Sequence, residues 1–424
     1  MKKSLFALAA LGAFASAAQA QSSVTLFGTI DAGMVYLQNG GLVGSTTAVG
    51  NDATATTASK LSTGTPATGN ALAYYDSAIA SSQWGMKGTE DLGGGTKANF
   101  YLAGDANTNN GGTHYEGLFR RGAWVGLSGG FGEVRLGTQG NPIVAASASL
   151  LPVMGNTAHS YRAIYTGGKD FHRNAIGYFT PVFSGFGAEV QYAMNNTIDG
   201  GYSDGTKMSA RAFYNAGNLD VTAAYIKQSS TSALGNAAAG TCATAPTTST
   251  NVTCAEANYG GDTTGYLAGV KYKVTPAIQV GLGWAHGEND ATNYYAGIGT
   301  NTAATASTAV KSNANVFMAG VGYQATPAVL LGLNYLVNTA DSSMYNFQTR
   351  YALSKRTTAY FQVNLAKNGS GCAIGTAGTC TIPYGNVLPL GGQTNTSPSV
   401  QVQGMAALPN TTQTAYGVGI IHNF

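Results

Sequence analysis

The sequence predicts an all-β fold, a 16-stranded antiparallel transmembrane β-barrel with short turns at one rim and long loops at the other. Three observations lead to this class. Sixteen runs alternate apolar and polar residues, the spacing of strands that have one apolar and one polar face. The connections between runs alternate between short turns, such as DLGGG, and long polar tracts. Charged residues make up 9% of the chain, whereas about a quarter of a typical soluble domain is charged.

The first element is the stretch MKKSLFALAALGAFASAAQA, residues 1–20. It has two lysines at its start, a short apolar middle and the small-residue triplet Ala18-Gln19-Ala20 at its end. That arrangement is typical of a secretory signal peptide, whereas a membrane anchor would have a longer apolar run without small residues at its end. We therefore expect residues 1–20 to be removed and residues 21–424 to form one barrel domain.

The alternating runs follow from near residue 24 to the end of the chain. The first, VTLFGTIDAGMVY, places apolar side chains such as Leu26 and Met34 on one face and Asp31 on the other. A later run, TTAYFQVNL, places Phe361 opposite Tyr360 in the same way. The predicted strand starts are Val24, Ser82, Thr96, Phe119, Glu133, His172, Gly187, Thr206, Leu219, Thr264, Ala277, Asn313, Ala328, Asn346, Thr357 and Gln413.

The two faces of these strands favour a membrane barrel over a soluble sandwich. The apolar face carries aromatic residues near strand ends, and the polar face carries Thr, Asn, Gln, Lys and Arg, which could not fill a dry core. An apolar outer surface with an aromatic girdle and a water-filled lumen accounts for both faces. An even number of strands puts both ends of the chain at the short-turn rim, which we expect to face the periplasm, with the long loops external.

The third long loop has an unusual composition. Between residues 139 and 171 lies the segment GNPIVAASASLLPVMGN, whose apolar residues would be unfavourable in an exposed loop. We therefore expect this loop to fold into the barrel and to pack on the wall. An apolar external loop that binds a partner is the alternative. The apolar residues concerned are Ile143, Val144, Leu150, Leu151, Val153 and Met154.

The four cysteines form two close pairs in polar tracts. Sequential pairing predicts two loop disulfides, Cys242–Cys254 and Cys372–Cys380, as expected for an exported chain. A zinc site is the alternative, but no histidine lies near either pair and neither has CxxC spacing.

Enzymatic chemistry and nucleic-acid binding find little support in the sequence. The segment GLSGG around Ser128 matches the G-x-S-x-G pattern, but a strand rather than a helix is predicted to follow it. The five histidines show no metal-ligand spacing, so we expect neither a metal nor a cofactor. Without Lys2 and Lys3, 19 basic residues face 18 acidic ones, a balance that does not favour nucleic acid.

The chain resembles the general porins of Gram-negative bacteria, especially their β-proteobacterial branch. The matching stretches are SSVTLFGTIDAGMVY, SQWGMKGTEDLGGGTKANFYL, RGAWVGLSGGFGEVRLGTQ, RNAIGYFTPVFSGFGAEVQYA, YALSKRTTAY and the closing HNF. The resemblance implies a homotrimeric outer-membrane pore for ions and small hydrophilic solutes, narrowed by the inward third loop. The terminal Phe424, preceded by alternating residues, resembles the signal that barrel-assembly machinery reads, so we expect contacts with that machinery and with outer-membrane lipids.

In this family, basic wall residues oppose acidic residues of the inward loop. The resemblance assigns Lys87, Arg121 and Arg173 to lumen-facing basic positions, whereas Gln83 stands where an arginine is usual. Alternation supports the same face for Arg121, because it would share that face with Val125 while Trp124 points outward.

The inward loop departs further from the family pattern. Residues 139–169 contain Arg162 and Lys169 but no Asp or Glu. Asp31 and Glu189 are expected in the lumen, where they would weaken the positive field. The sequence therefore predicts a pore with weak anion preference. A substrate-selective channel is the alternative, because Tyr101 and Tyr360 are also expected to face the lumen and could stack on sugar rings.

Overall fold

The computed structural model describes residues 23–42, 67–113, 117–153, 171–194, 206–230, 261–289, 312–339, 343–367 and 412–424. These ranges form one closed antiparallel sheet and one helix, α1 (Pro142–Leu150). The strands are β1 (Ser23–Leu42), β2 (Ala67–Asp76), β3 (Gln83–Gly93), β4 (Thr96–Asp105), β5 (Gly122–Gly129), β6 (Gly132–Gly140), β7 (Phe171–Phe179), β8 (Phe186–Ala193), β9 (Thr206–Ala216), β10 (Leu219–Ser230), β11 (Gly261–Lys273), β12 (Ile278–Asn289), β13 (Ser312–Thr326), β14 (Val329–Asn338), β15 (Ser343–Ala352), β16 (Thr357–Lys367) and β17 (Thr412–Asn423).

The sheet closes because β1 pairs with β17 along one edge. The other edge of β1 pairs with β3 from Ser23 to Thr29 and with β2 from Ala32 to Leu42. β2 and β3 therefore occupy successive halves of one position, and the 17 strands fill 16 positions around the barrel. The predicted 16-stranded antiparallel barrel is confirmed, with β2 as an extra strand in a stretch that we expected to be loop.

Alternation gives every strand an outer apolar face. In β12, for example, Leu282 and Trp284 are exposed on the outside, whereas Gly283 and Ala285 point into the barrel. The same pattern runs around the sheet, and the exposed large side chains are mainly Val, Leu, Ile, Phe and Tyr. Such a surface would be unfavourable in water but matches a lipid environment. Within the part of the chain that the structure describes, no helix has both the length and the apolar character needed to cross a membrane.

The two rims differ as the connections predict. At one rim the strands are joined by short turns, including 94–95, 130–131 and 217–218. Gly217 has a φ of 58° in the last of these turns, a conformation that side chains with a Cβ seldom adopt. At the other rim the connections are mostly long, and they include 43–66, 141–170, 231–260 and 368–411.

A second inward segment, Ser77–Ser82, separates β2 from β3. The buried carboxylate of Asp31 accepts hydrogen bonds from the backbone N–H groups of Ile79 and Ala80, both at 2.7 Å. Ile79 packs with Tyr360 on the inner wall. Asp31 and Tyr360 face the inner side, but the expectation that Asp31 lines the pore is wrong, because this segment covers both residues and leaves their side chains buried.

Several sequence predictions concern residues outside the described ranges. These are the signal peptide 1–20, Arg162, Lys169, and the four cysteines Cys242, Cys254, Cys372 and Cys380. The boundary between a signal peptide and a barrel domain at residue 21 also stays a prediction.

Candidate functional site

The described part of the inward loop, residues 141–153, lies on the inner wall of the barrel. Asn141 caps the start of helix α1, and its side-chain oxygen accepts the Ile143 N–H at 3.1 Å. Pro142 is the first residue of the helix. This capping arrangement stabilises the helix start. Ile143 and Leu150 are fully buried against wall residues such as Ile226 and Leu267. The predicted inward fold of this loop is confirmed for the described residues.

A trough of glycines accommodates the loop. A Cβ added at Gly283 would lie 3.0 Å from Leu150, and one at Gly322 would lie 2.8 Å from Pro152. A Cβ at Gly332 would overlap the side chain of Val153. Because hydrogen atoms occupy these positions instead, the loop approaches the wall closely. The trough consists of Gly269, Gly281, Gly283, Gly320, Gly322 and Gly332.

The basic wall lies on other strands and has an ion triad at its centre. Arg120 and Arg121 precede β5, and each donates to one oxygen of the Asp105 carboxylate at 2.7 Å. Arg121 also donates from Nε to the Gln83 side-chain oxygen at 2.8 Å. One carboxylate between two guanidinium groups leaves the triad with one net positive charge. Gln83 therefore orients Arg121 without adding a charge of its own.

Several other charges on the inner face occur as pairs. Arg135 contacts Glu133, and Arg211 contacts Glu189, each pair at 2.6 Å. Glu189 thus faces inward as expected, but its charge is matched by Arg211. Lys87 lies in β3 opposite Tyr101 and is exposed, and its Nζ lies 5.6 Å from the ring centroid of Phe27. The described wall therefore combines near-neutral pairs with a positive triad, the exposed Lys87, and Arg350, whose guanidinium donates to the Gln348 side-chain oxygen.

Arg173 lies at an irregularity of β7. The ladder with β6 shifts between Gln139 and Gly137, and Asn174 has a φ of 51°. His172, opposite Gln139, is buried, and its Nδ1 lies 3.4 Å from the Ser209 hydroxyl of the inner face. Alternation therefore does not assign the direction of Arg173, which is half-buried.

The predicted outward direction of Trp124 is wrong. Val125 is 57% exposed and lies on the outer face, whereas Trp124 stacks with Tyr101 at a centroid distance of 5.7 Å on the inner face. Arg121 precedes the first residue of β5, so its side chain reaches Asp105 from the connection and not from the strand. The prediction was wrong because it extended the alternation of β5 to Arg121, which lies outside the strand.

The described residues provide no G-x-S-x-G elbow. Ser128 lies in β5 and accepts a hydrogen bond from Asn99 at 2.9 Å. The two-residue turn that follows leads into β6, so no helix begins there. Within the described ranges, no group of three or more His, Cys, Asp or Glu side chains could hold a metal ion.

Sequence reasoning missed several charged wall residues, among them Arg120, Asp105 and Arg135. Arg120 stands beside Arg121 in FRRGAW, but a position outside a strand has no predictable face. Asp105 ends β4 and was not connected with a basic partner. Arg135 in GEVRLG alternates inward as a regular strand residue, and this signal was available in the sequence.

Comparison with known proteins places the chain in a family. The model of the Gram-negative porin family matches residues 7–371. Outer membrane porin protein 32 of Delftia acidovorans is 36% identical over 241 residues, 54% of this chain and 60% of that protein. An outer membrane porin protein of Bordetella pertussis is 33% identical over 202 residues, 46% of this chain and 49% of that protein. The matched region thus spans 60% of the length of the first relative and 49% of the second.

Solved structures share the fold. An anion-selective porin from Comamonas acidovorans matches with a TM-score of 0.62 and 23% identity, over 95% of this chain and 100% of that one. The trimer form of OmpT, an outer membrane protein of Vibrio cholerae, matches with a TM-score of 0.56 and 12% identity, over 95% of this chain and 99% of that one. Both matches extend over nearly the whole chain and agree with the barrel fold described above. The chain belongs to the Gram-negative porin family and is an outer-membrane β-barrel protein.

Proposed function

We propose that the chain forms a water-filled channel through which ions and small hydrophilic solutes diffuse passively, with a weak preference for anions. The short-turn rim then faces the periplasm and the long loops face the exterior. The polar inner wall and the inward loop support a narrowed aqueous pore. An anion preference also agrees with the description of the Comamonas acidovorans structure as anion-selective.

The Arg120–Asp105–Arg121 triad is the observation that carries the anion preference. Its net positive charge lies on the inner face, and the described part of the inward loop, 141–153, contains no acidic residue to offset it. Charges of one sign in a narrow lumen with low-dielectric walls give potentials that attract ions of the opposite sign. Lys87 and Arg173 are assigned to the same role, and Arg162 would extend it into the loop. The paired side chains elsewhere keep the preference weak.

The channel is proposed to be a homotrimer held in outer-membrane lipid. The exposed apolar outer surface provides contacts for lipid and for neighbouring copies. The trimer form of OmpT from Vibrio cholerae, which shares the fold, supports this state. Phe424, whose backbone exchanges hydrogen bonds with Gly28, is proposed to be read by barrel-assembly machinery before that pairing forms.

The chain is proposed to act without catalysis, because the relatives named above are described as porins and the Ser128 region has no nucleophile elbow.

A substrate-selective channel is a second candidate. It is favoured by aromatic side chains that occupy part of the inner wall beside Tyr101.

Reconstitution in a planar bilayer tests the proposal. The purified, folded protein should produce discrete conductance steps, and zero-current potentials across a KCl gradient should favour chloride at low salt. Liposomes containing the protein should release small sugars faster than large ones. Folded protein that conducts no ions, or that prefers potassium, would contradict the proposal.

A further inference from the structure

An aromatic strip runs across the inner wall of the barrel. The rings of Phe27 and Tyr101 stack at a centroid distance of 5.3 Å, and those of Tyr101 and Trp124 at 5.7 Å. All three side chains are partly exposed. They belong to three strands, β1, β4 and β5, and lie on the face opposite outward residues such as Val125. The strip is therefore a continuous aromatic surface on the inner wall.

Each end of the strip carries a cation. At one end the Lys87 Nζ lies 5.6 Å from the Phe27 centroid. At the other end the Arg135 guanidinium carbon lies 4.2 Å from the Trp124 centroid and 4.0 Å from that of Phe179. Contact with two rings fixes the plane of this guanidinium and reduces the entropy that a ligand contact would cost.

Two further contacts hold Arg135 in place. Its terminal nitrogen donates to the Glu133 carboxylate at 2.6 Å, and Glu133 in turn accepts from Asn99 at 3.1 Å. The stem of Arg135 crosses Gly126, where an added Cβ would lie 3.1 Å from its Cγ. The Arg135 side chain is 26% exposed in this position, and its guanidinium has other N–H groups besides the one bonded to Glu133.

Barrel packing does not require aromatic residues here. Inward positions of other strands hold smaller or non-aromatic residues, such as Gly283 and Ala285 in β12 and Asn346 and Gln348 in β15. Partly exposed rings in a water-filled lumen keep apolar surface in contact with water, which is unfavourable. A solute that covers the rings removes this contact. A solute that covers them best has an apolar planar body, and a carboxylate on that body matches the guanidinium fork.

We propose that Phe27, Tyr101, Trp124 and Arg135 form a binding subsite for aromatic carboxylates in transit through the channel, with Lys87 at its far end. The proposal rests on the proposed channel function, which it makes more specific. Because Arg135 and Glu133 together are nearly neutral, the subsite holds small inorganic anions and acetate weakly. The ring of the solute supplies the additional affinity by contact with Trp124 and Tyr101.

Equilibrium binding to the folded protein in detergent micelles tests the subsite without any ion flow. Titration calorimetry should show benzoate bound about tenfold more tightly than acetate, the gain expected from ring contacts. Trp124→Leu should abolish this difference. Arg135→Gln should weaken benzoate binding but not the binding of benzyl alcohol, which lacks the carboxylate.

Phe213→Leu is the matched control, because Phe213 lies under another wall arginine, Arg211, at 4.8 Å but outside the strip. This variant should keep the benzoate preference. If Trp124→Leu does not fold, Phe27→Leu changes the far end of the strip and should lower the preference by about threefold. Equal affinities for benzoate and acetate, or a full preference in either folded strip variant, would overturn the proposal.

Bilayer recordings separate this inference from the channel proposal. In KCl, benzoate should reduce the chloride current at concentrations about tenfold below those of acetate. Absence of any chloride current would contradict the channel function, whereas the calorimetric result would still decide on the strip. A normal chloride current that benzoate and acetate reduce alike would contradict only the subsite.

Discussion

The Tyr360 hydroxyl donates a hydrogen bond of 2.8 Å to the Asp31 carboxylate, which joins β16 to β1 across the intervening strand β17. The other carboxylate oxygen of Asp31 accepts the N–H groups of Ile79 and Ala80. One buried side chain therefore connects the closing strands of the barrel with the inward segment Ser77–Ser82.

Replacing Tyr360 with Phe tests this connection. The variant leaves a buried carboxylate oxygen of Asp31 without one of its donors, so the free energy of unfolding should fall by about 1–3 kcal/mol. Urea unfolding of the protein in micelles measures it. Tyr345→Phe is the control, because Tyr345 is 46% exposed on the outer face, and its effect should be small. Equal losses in both variants would show that the bond to Asp31 contributes nothing specific.

Asp105→Asn should strengthen the preference for chloride. The substitution raises the net charge of the triad with Arg120 and Arg121 by one unit, and the permeability ratio should rise on the order of twofold at low salt. Arg121→Ser should shift the ratio in the opposite direction. Zero-current potentials in KCl gradients measure both changes.

Salt concentration provides an internal check on the triad. Both shifts should fade as KCl approaches 1 M, because the Debye length falls to about 3 Å. Asp91→Asn, at an exposed position beside the β3–β4 turn, should leave the ratio nearly unchanged. A shift toward potassium in Asp105→Asn would contradict the assignment of the triad.

Gly332→Val should disturb the inward loop. The new side chain would overlap Val153, so residues 151–153 must move away from the wall into the lumen. We expect a lower single-channel conductance and a loss of stability of about 1–3 kcal/mol. Gly140→Ala is the control, because an added Cβ there meets no atom within 4 Å. Unchanged conductance in Gly332→Val would show that the loop does not depend on the glycine trough.

The cysteine pairs stay predictions, since Cys242, Cys254, Cys372 and Cys380 lie outside the described residues. Mass spectrometry of unreduced peptides should find the links 242–254 and 372–380. Each link should stabilise the fold by roughly 2–3 kcal/mol, measured as the change in unfolding free energy when the protein is reduced. Four free thiols, or crossed pairs, would refute the assignment.

The barrel itself could be predicted because its signal is local. Period-two alternation in β1, β12 or β16 is visible in a few consecutive residues, and the turn residues between strands are equally local. β2 was missed although Leu72 and Tyr74 alternate outward, because the residues that follow, SAIASS, interrupt the pattern before β3.

The site was harder to predict because it depends on contacts between distant segments. Asp31 does face the inner side, but only the fold brings Ile79 over it. The partners of Arg121 are 16 and 38 residues away, and its position just before β5 removes it from the alternation. The bulge beside Arg173 left no sign in the sequence.

The segment between β2 and β3 has a consequence for how such barrels vary. Asp76 lies opposite Ala32 and Gln83 lies opposite Thr29, so an uninterrupted ladder would need two residues between them, opposite Ile30 and Asp31. The chain has six, 77–82, and the four in excess are an even number. Because side chains alternate with a period of two, an even insertion leaves every later residue of the strand on its original face. A barrel can therefore gain or lose an inward segment in the middle of a strand, as well as in its loops. The outward residues of that strand stay outward and its inward residues stay inward.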